Sequence, residues 1–200
     1  MQDASDRQLE DLRENFVWFS RKAYDMGYVC ATGGNLSVLT PQGNGILIKT
    51  TSVSFRDLTK RDVILAGLDG SVKEGTGRPS KEIHAHLAIY KIRPDVRAVI
   101  HMHSPAATAF AVAARPVPLV TVQSELYLKE VPIVKYAAPG SRELAEFVAA
   151  TFKDPKITVA LLEKHGTIAV GNSIPNALDN AELLEHTARI ALYLEKIRAS

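Results

Sequence analysis

"AVIHMHS", Ala98 to Ser104, reads as a buried β-strand that carries two imidazoles. Alternate residues of a strand face opposite sides, so His101 and His103 share one face and Met102 takes the other. Two neighbouring imidazoles on one face of an apolar strand are placed to hold one metal ion. Apolar surroundings also limit the water that competes for it.

A catalytic zinc takes three protein ligands and keeps a fourth position open. The third ligand must come from elsewhere, and the chain has only six histidines. His165 is the best placed, in "EKHGTIAV" at a strand end, followed by a glycine that permits a tight turn. His84 and His86 sit two residues apart on an expected helix, roughly 200° around its axis, so they cannot ligate one ion together. Glu82 and His86, like Glu182 and His186, have the four-residue spacing of helical pairs, which reads first as a solvated face contact.

Outward from this strand, the chain alternates helices and hairpins. Leu9, Leu12, Phe16, Phe19 and Ala23 recur at three- and four-residue steps, predicting an amphipathic first helix that ends near Gly27. "LSVLT" and "ILIKT" flank the turn "PQGNG", and "DVILAGLDGSV" folds back at Asp69-Gly70. Pro79 opens a helix that must stop before Pro94. Pro105 to Ala114 reads as a helix, and "VPLVTVQ" and "VPIVKY" read as strands. Ser141 caps a helix through Phe152. "ITVALLE", "HG" and "TIAVG" make a strand, a turn and a strand before a long helix from Pro175 to Arg198. Hairpins mixed with helices predict a mixed, largely antiparallel sheet covered by helices, an α/β fold formed by residues 1–200 as a single domain. "TGGN" does not match the dinucleotide-binding fingerprint.

Composition narrows the function class. The 200 residues are 46% hydrophobic and 23% charged with a net charge of +2, and Lys and Arg are scattered, so no nucleic-acid face is expected. No apolar run reaches membrane-spanning length, and "MQDASDRQLEDLREN" is too polar for a signal peptide. The single cysteine, Cys30, cannot form an intrachain disulfide and reads as a small semi-buried residue of a cytoplasmic protein. Two stretches invite an anion. "GTGRPSKE", Gly75 to Glu82, precedes a helix and carries Arg78 and Lys81; "KTTS", Lys49 to Ser52, gathers hydroxyls and charge after a strand.

These segments, in this order, resemble the class II aldolase/adducin family. "ATGGNLSV", "ILIKTTSVSFRDLT", "GRPSKEIHAHLAIYKIRPDVRAVIHMHS" and "ALLEKHGTIAVG" are similar to its four ordered motifs and cover nearly the whole chain. The resemblance implies a three-layer α/β/α domain in a homotetramer with active sites between subunits. It implies that His101, His103 and His165 hold a divalent metal, zinc, and that Glu82 is the general base. It places Gly34 and Asn35 near the substrate oxygens and phosphate, and Thr51, Ser52 and Ser80 at the phosphate. The implied reaction cleaves a carbon–carbon bond of a phosphorylated sugar through an enediolate, stabilised by the metal as Lewis acid while a carboxylate moves the proton. A wall of Val99, Met102 and the alanine-rich helix is expected to raise the basicity of Glu82 by desolvation.

Within the family the implied activity is that of a ketose-1-phosphate aldolase of the fuculose-phosphate type, which gives dihydroxyacetone phosphate and an aldehyde. Lys81 departs from that pattern: "PSKE" and "YAAPGSREL" are more similar to 3-oxo-tetronate-4-phosphate decarboxylases, where a lysine meets a carboxylate-bearing substrate. The tyrosines of the fuculose-phosphate enzymes have no clear counterpart here, with Tyr127 near but out of register. An adducin-like, non-catalytic scaffold is the reading from a different class; such heads lack the metal histidines that this chain retains.

Overall fold

Strand alternation sorts side chains onto the two faces of one sheet in a computed structural model that describes residues 2–199. The strands are β1 (Asn35–Leu39), β2 (Gly45–Lys49), β3 (Val63–Gly67), β4 (Val72–Glu74), β5 (Ala98–Met102), β6 (Ile133–Val134), β7 (Val159–Leu162) and β8 (Gly166–Gly171). They lie in the order β4-β3-β2-β1-β5-β8-β7-β6. Every pairing is antiparallel except β6 with β7. The helices are α1 (Gln2–Asp25), α2 (Ile83–Ile92), α3 (Pro105–Val112), α4 (Val122–Tyr127), α5 (Arg142–Phe152) and α6 (Ile174–Ala199).

One apolar layer joins Leu36, Val38, Leu47, Ile100 and Met102 to α1, α3 and α6; the other joins Ile46, Ile48, Val99, Ile168 and Val170 to α2 and α5. The result is the expected three-layer α/β/α arrangement. On β5 the odd positions face α2, so His101 continues the Val99 side while Met102 points into the opposite layer. On β1 the same rule turns Asn35 and Ser37 toward α2. β5 pairs Asn35 with His101 on one side and Ile168 with His101 on the other. The residues that matter thus converge at one end of the central strands.

Buried polar groups fix the elements beyond that end. Glu185, fully buried on α6, accepts hydrogen bonds from the backbone N–H groups of Ala106 and Ala107 (3.1 and 2.9 Å) and from Arg189 Nε (2.8 Å). It caps α3 from outside and so anchors the segment that follows His103. Arg93 at the end of α2 donates to the carbonyls of Phe152, Asp154, Pro155 and Ile157, tying α2 to the turn after α5.

Three local expectations change. "VPLVTVQ" is not a strand: it runs as a loop into α4, because Thr121 caps a helix through Ser124, accepting from Ser124 N and taking part in a reciprocal pair. Pro79 does not open α2; it bridges Thr50, and the helix begins at Ile83 with Glu82 at its N-cap. Cys30 is exposed rather than semi-buried. The hairpins, the Ser141 cap and the closing helix stand as read. No described helix is long and apolar enough to cross a membrane.

Removing the Glu185 carboxylate leaves two buried N–H groups without acceptors, a loss of about 2–4 kcal/mol. Urea denaturation of Glu185→Ala is expected to show that loss; a change below about 1 kcal/mol contradicts the capping role.

Candidate active site

Every site residue named from the sequence lines one cleft of about 280 Å³: Gly34, Asn35, Thr51, Ser52, Ser80, Lys81, Glu82, His101, His103 and His165. They come from the 31–35 turn and β1, the loop after β2, the turn before α2, the end of β5 and the β7–β8 turn. The strand pairing of β1, β5 and β8 therefore assembles residues that are far apart in the chain.

The three imidazoles have ligand atoms within 4.8 Å of one another. His101 Nε2 and His103 Nε2 stand 2.9 Å apart. Glu82 Oε2 lies 3.2 Å from His101 Nε2, and Oε1 lies 3.4 Å from His165 Nε2. Burial, the main cause, together with the neighbouring imidazoles outweighs Glu82 and pushes His101 down to about 4, so its ring stays neutral near pH 7. His101 Nδ1 lies 2.8 Å from the Thr167 carbonyl, which can only accept, so the ring proton sits on Nδ1 and the lone pair of Nε2 faces the cluster. Three imidazoles whose ligand atoms gather at one point, with a carboxylate beside them, form a donor set that fits a divalent cation. Gly166 permits the approach: a Cβ there would stand 2.7 Å from His103 Cδ2 and 2.4 Å from the Met102 carbonyl. The left-handed residue of the β7–β8 turn is Lys164, with φ 57°, so Gly166 is needed for closeness and not for backbone conformation.

Glu82 sits at the N-cap of α2 with its side chain 11% exposed. Asn35 Nδ2 donates to its Oε2 at 2.7 Å. The expected rise in basicity is not found. Burial does push the carboxyl up, but His101, His165 and the Asn35 hydrogen bond outweigh it and hold Glu82 below the usual carboxylate range. The apolar wall also differs from the one expected: Val99 is on the Glu82 side of the sheet, whereas Met102 and α3 are on the other. The spacing of Glu82 and His86 is not a solvated face contact either, since His86 is fully buried against Ser37. His84 and His186 are exposed on their helices, as is Glu182.

The wall opposite the histidines is polar. Ser80 N donates to the Lys49 carbonyl and Thr51 N to the Arg78 carbonyl, which folds "KTTS" and "GRPSKE" against each other. Ser52 holds a left-handed backbone, φ 65°. Lys49 is the residue the sequence reading left in the background. Only 2% exposed, its Nζ donates to the carbonyls of Thr32 (2.9 Å) and Val53 (2.7 Å), so it ties both loops and puts a cation at the cleft floor. Burial pushes this ammonium down to about 8 against the pull of Glu82. Its signals in the sequence were its place at the end of the apolar run "ILIKT" and the charge it gives "KTTS". Lys81 is exposed on the rim and has no hydrogen-bond or ion-pair partner among the described residues. Pro139 joins the lining because the 138–140 loop packs on Lys81, where a Cβ at Gly140 would stand 2.8 Å from the Lys81 carbonyl.

Comparison with known proteins shows the family to which the chain belongs. Residues 14–192 match the model of the class II aldolase and adducin N-terminal domain. A Methanococcus maripaludis protein named L-fuculose phosphate aldolase is 36% identical over 188 residues, covering 94% of this chain and 99% of its own. An Escherichia coli protein named 3-oxo-tetronate 4-phosphate decarboxylase is 31% identical, with 92% and 88% covered. The crystal structure of L-fuculose-1-phosphate aldolase from Thermus thermophilus superposes with a TM-score of 0.84 at 28% identity, covering 94% of this chain and 96% of that one.

Metal-free protein titrated with a divalent cation is expected to bind one ion per chain and to unfold at a higher temperature when loaded. Calorimetric titration of His103→Ala should detect no such site, and binding at native strength in that variant would refute the ligand set.

Proposed function

Because the chain belongs to the class II aldolase and adducin family, whose class II aldolases are lyases that use a divalent metal, we propose that it cleaves a ketose 1-phosphate into dihydroxyacetone phosphate and an aldehyde. The observation that carries this reading is Glu82, held by Asn35 between the His101, His103 and His165 triad and a polar cleft wall. Residues 1–200 act as one domain. The names of the similar proteins support a phosphorylated sugar as substrate.

His101, His103 and His165 would hold the ion, and three nitrogen ligands with an open position suit zinc. A divalent ion bound there supplies Lewis-acid stabilisation of the negative charge that develops on the substrate's carbonyl oxygen. The protein's own groups do the rest. Thr51, Ser52 and Ser80, with the backbone beside Gly34, receive the phosphate, and Lys49 supplies the compensating charge beneath it. Asn35 orients the Glu82 carboxylate and faces the substrate oxygens. In the direction of carbon–carbon bond formation, Glu82 takes the proton from the carbon next to the carbonyl of dihydroxyacetone phosphate; in cleavage it returns that proton. A carboxylate held below the usual carboxylate range, with Asn35 donating to it, is ready to act as that base.

One observation favours a second reaction. Lys81 adjoins Glu82, faces the cleft rim and has no partner among the described residues, so it is placed to receive a second anionic group on the substrate. A carboxylate there fits decarboxylation of a 3-oxo-tetronate 4-phosphate, which proceeds through the same carbanionic charge. The protein works in the cytoplasm as a homotetramer with the clefts near subunit interfaces. Val122, Leu126 and Tyr127 of α4, all more than half exposed, are apolar surface suited to such an interface.

Product analysis separates the two reactions. Fuculose 1-phosphate is expected to yield dihydroxyacetone phosphate without carbon dioxide. Carbon dioxide from a 3-oxo-tetronate 4-phosphate, with no cleavage of the ketose phosphate, would assign the chain to the decarboxylases. Glu82→Gln should lower kcat about 100- to 10,000-fold on the true substrate. Lys49 is charged below about pH 8 and loses its charge as the pH rises through that value. The ratio kcat/KM should therefore fall above about pH 8, and Lys49→Arg, which stays charged, should lack that fall.

A further inference from the structure

A buried polar chain behind Glu82 has no part in the proton transfer just described. His86 stands one helical turn after Glu82 and is 0% exposed. Its Nδ1 lies 2.7 Å from Ser37 Oγ, and Ser37 Oγ lies 2.8 Å from Tyr90 OH. Ser37 follows Asn35 by two residues on β1, so both side chains leave the strand on the same face. Asn35 reaches Glu82, while Ser37 reaches His86 and Tyr90. Spacing of two on the strand thus meets spacing of four on the helix, in a ladder of polar rungs.

The surrounding contacts are apolar: Ile83 and Ile89 of α2 pack with Ile48 and Val99 of the sheet. Apolar contacts are non-directional, and an interface made of them alone leaves the helix free to settle in neighbouring positions at small cost. Buried hydrogen bonds are directional and costly to misplace, so their use here is to specify position rather than to add stability. Both contacts of Ser37 are used when Tyr90 donates to Ser37 and Ser37 donates to His86 Nδ1, and the ring proton then sits on Nε2. Neither His86 Nε2 nor Glu82 Oε1 has a hydrogen-bond partner within the described residues. Full burial pushes His86 down to about 3, so the ring is a fixed neutral group and not a carrier of protons.

We propose that His86, fastened to β1 through Ser37, is a positioning residue that sets where the Glu82 carboxylate stands over the histidine triad. The proposal rests on the role of Glu82 as base given above. Ser37 and Tyr90 complete the device, and its effect belongs to the proton transfer and not to substrate binding.

The test reads that transfer directly, as exchange of the carbon-bound proton of dihydroxyacetone phosphate with deuterated solvent, followed by NMR on the metal-loaded enzyme. His86→Phe, which keeps an aromatic ring but removes both nitrogens, and Ser37→Ala are each expected to slow the maximal exchange rate about 10- to 100-fold. The KM for dihydroxyacetone phosphate and the single bound ion should be unchanged. His86→Asn, whose side-chain oxygen can accept from Ser37, should recover most of the rate. Native exchange in Ser37→Ala and His86→Phe would overturn the proposal, as would KM rising in step with the loss, or no recovery in His86→Asn at equal melting temperature. If His86→Phe does not fold, Ser37→Ala, which deletes one hydroxyl, decides alone. Glu82→Gln is measured in parallel. Native exchange in that variant means Glu82 is not the base, and both claims fall. Loss of exchange there, with native exchange in Ser37→Ala, means that only the positioning claim falls.

Discussion

The site depends on β5 being paired on both sides. β1 and β8 flank it as antiparallel neighbours, so Asn35, His101 and the start of β8 come into line across the sheet. That pairing brings a base-orienting amide, two imidazoles and the turn bearing His165 within reach of one another, although they span 130 positions from residue 35 to residue 165. Alternation then decides which layer each side chain enters. A shift of one residue in β5 would send both imidazoles into the layer of α1, α3 and α6 and leave Glu82 without its partners.

Electrostatics at this end follow from burial in a particular order. Desolvation disfavours charge on the buried His101, so its ring stays neutral and keeps its lone pair. Glu82, to which Asn35 donates at 2.7 Å, is held below the usual carboxylate range despite its burial. Lys49 lines the same cleft, and its hydrogen bonds tie the turn at Thr32 to the loop after β2 that carries Thr51 and Ser52. One small cleft thus holds both a cation and a carboxylate, a layout suited to a substrate with an anionic tail and a reacting carbonyl.

Much of this was legible in the sequence because it depends on local periodicity. The strand "AVIHMHS" shows its two faces by alternation alone, and "PQGNG" and Asp69-Gly70 mark hairpins by turn chemistry. The Ser141 cap is also visible as a local signal. What escaped depends on partners distant in the chain. "VPLVTVQ" has the β-branched content of a strand, but the Thr121 cap turns its second half into α4. Pro79 looks like a first-turn proline until Thr50 pairs with it. The direction of the Glu82 shift could not be read from an apolar neighbourhood, because imidazoles brought by other strands outweigh that neighbourhood. His86 looked like half of a surface pair for the same reason: only the tertiary fold places Ser37 against it.

The central claim is that His101, His103 and His165 form one metal centre next to Glu82. Anomalous diffraction at the zinc absorption edge, on crystals of the zinc-loaded protein, tests it most directly. The account predicts one strong peak per chain, bonded to a nitrogen of each of these three histidines. A peak at any other residues, or none at this cluster in protein shown to contain zinc, would contradict it.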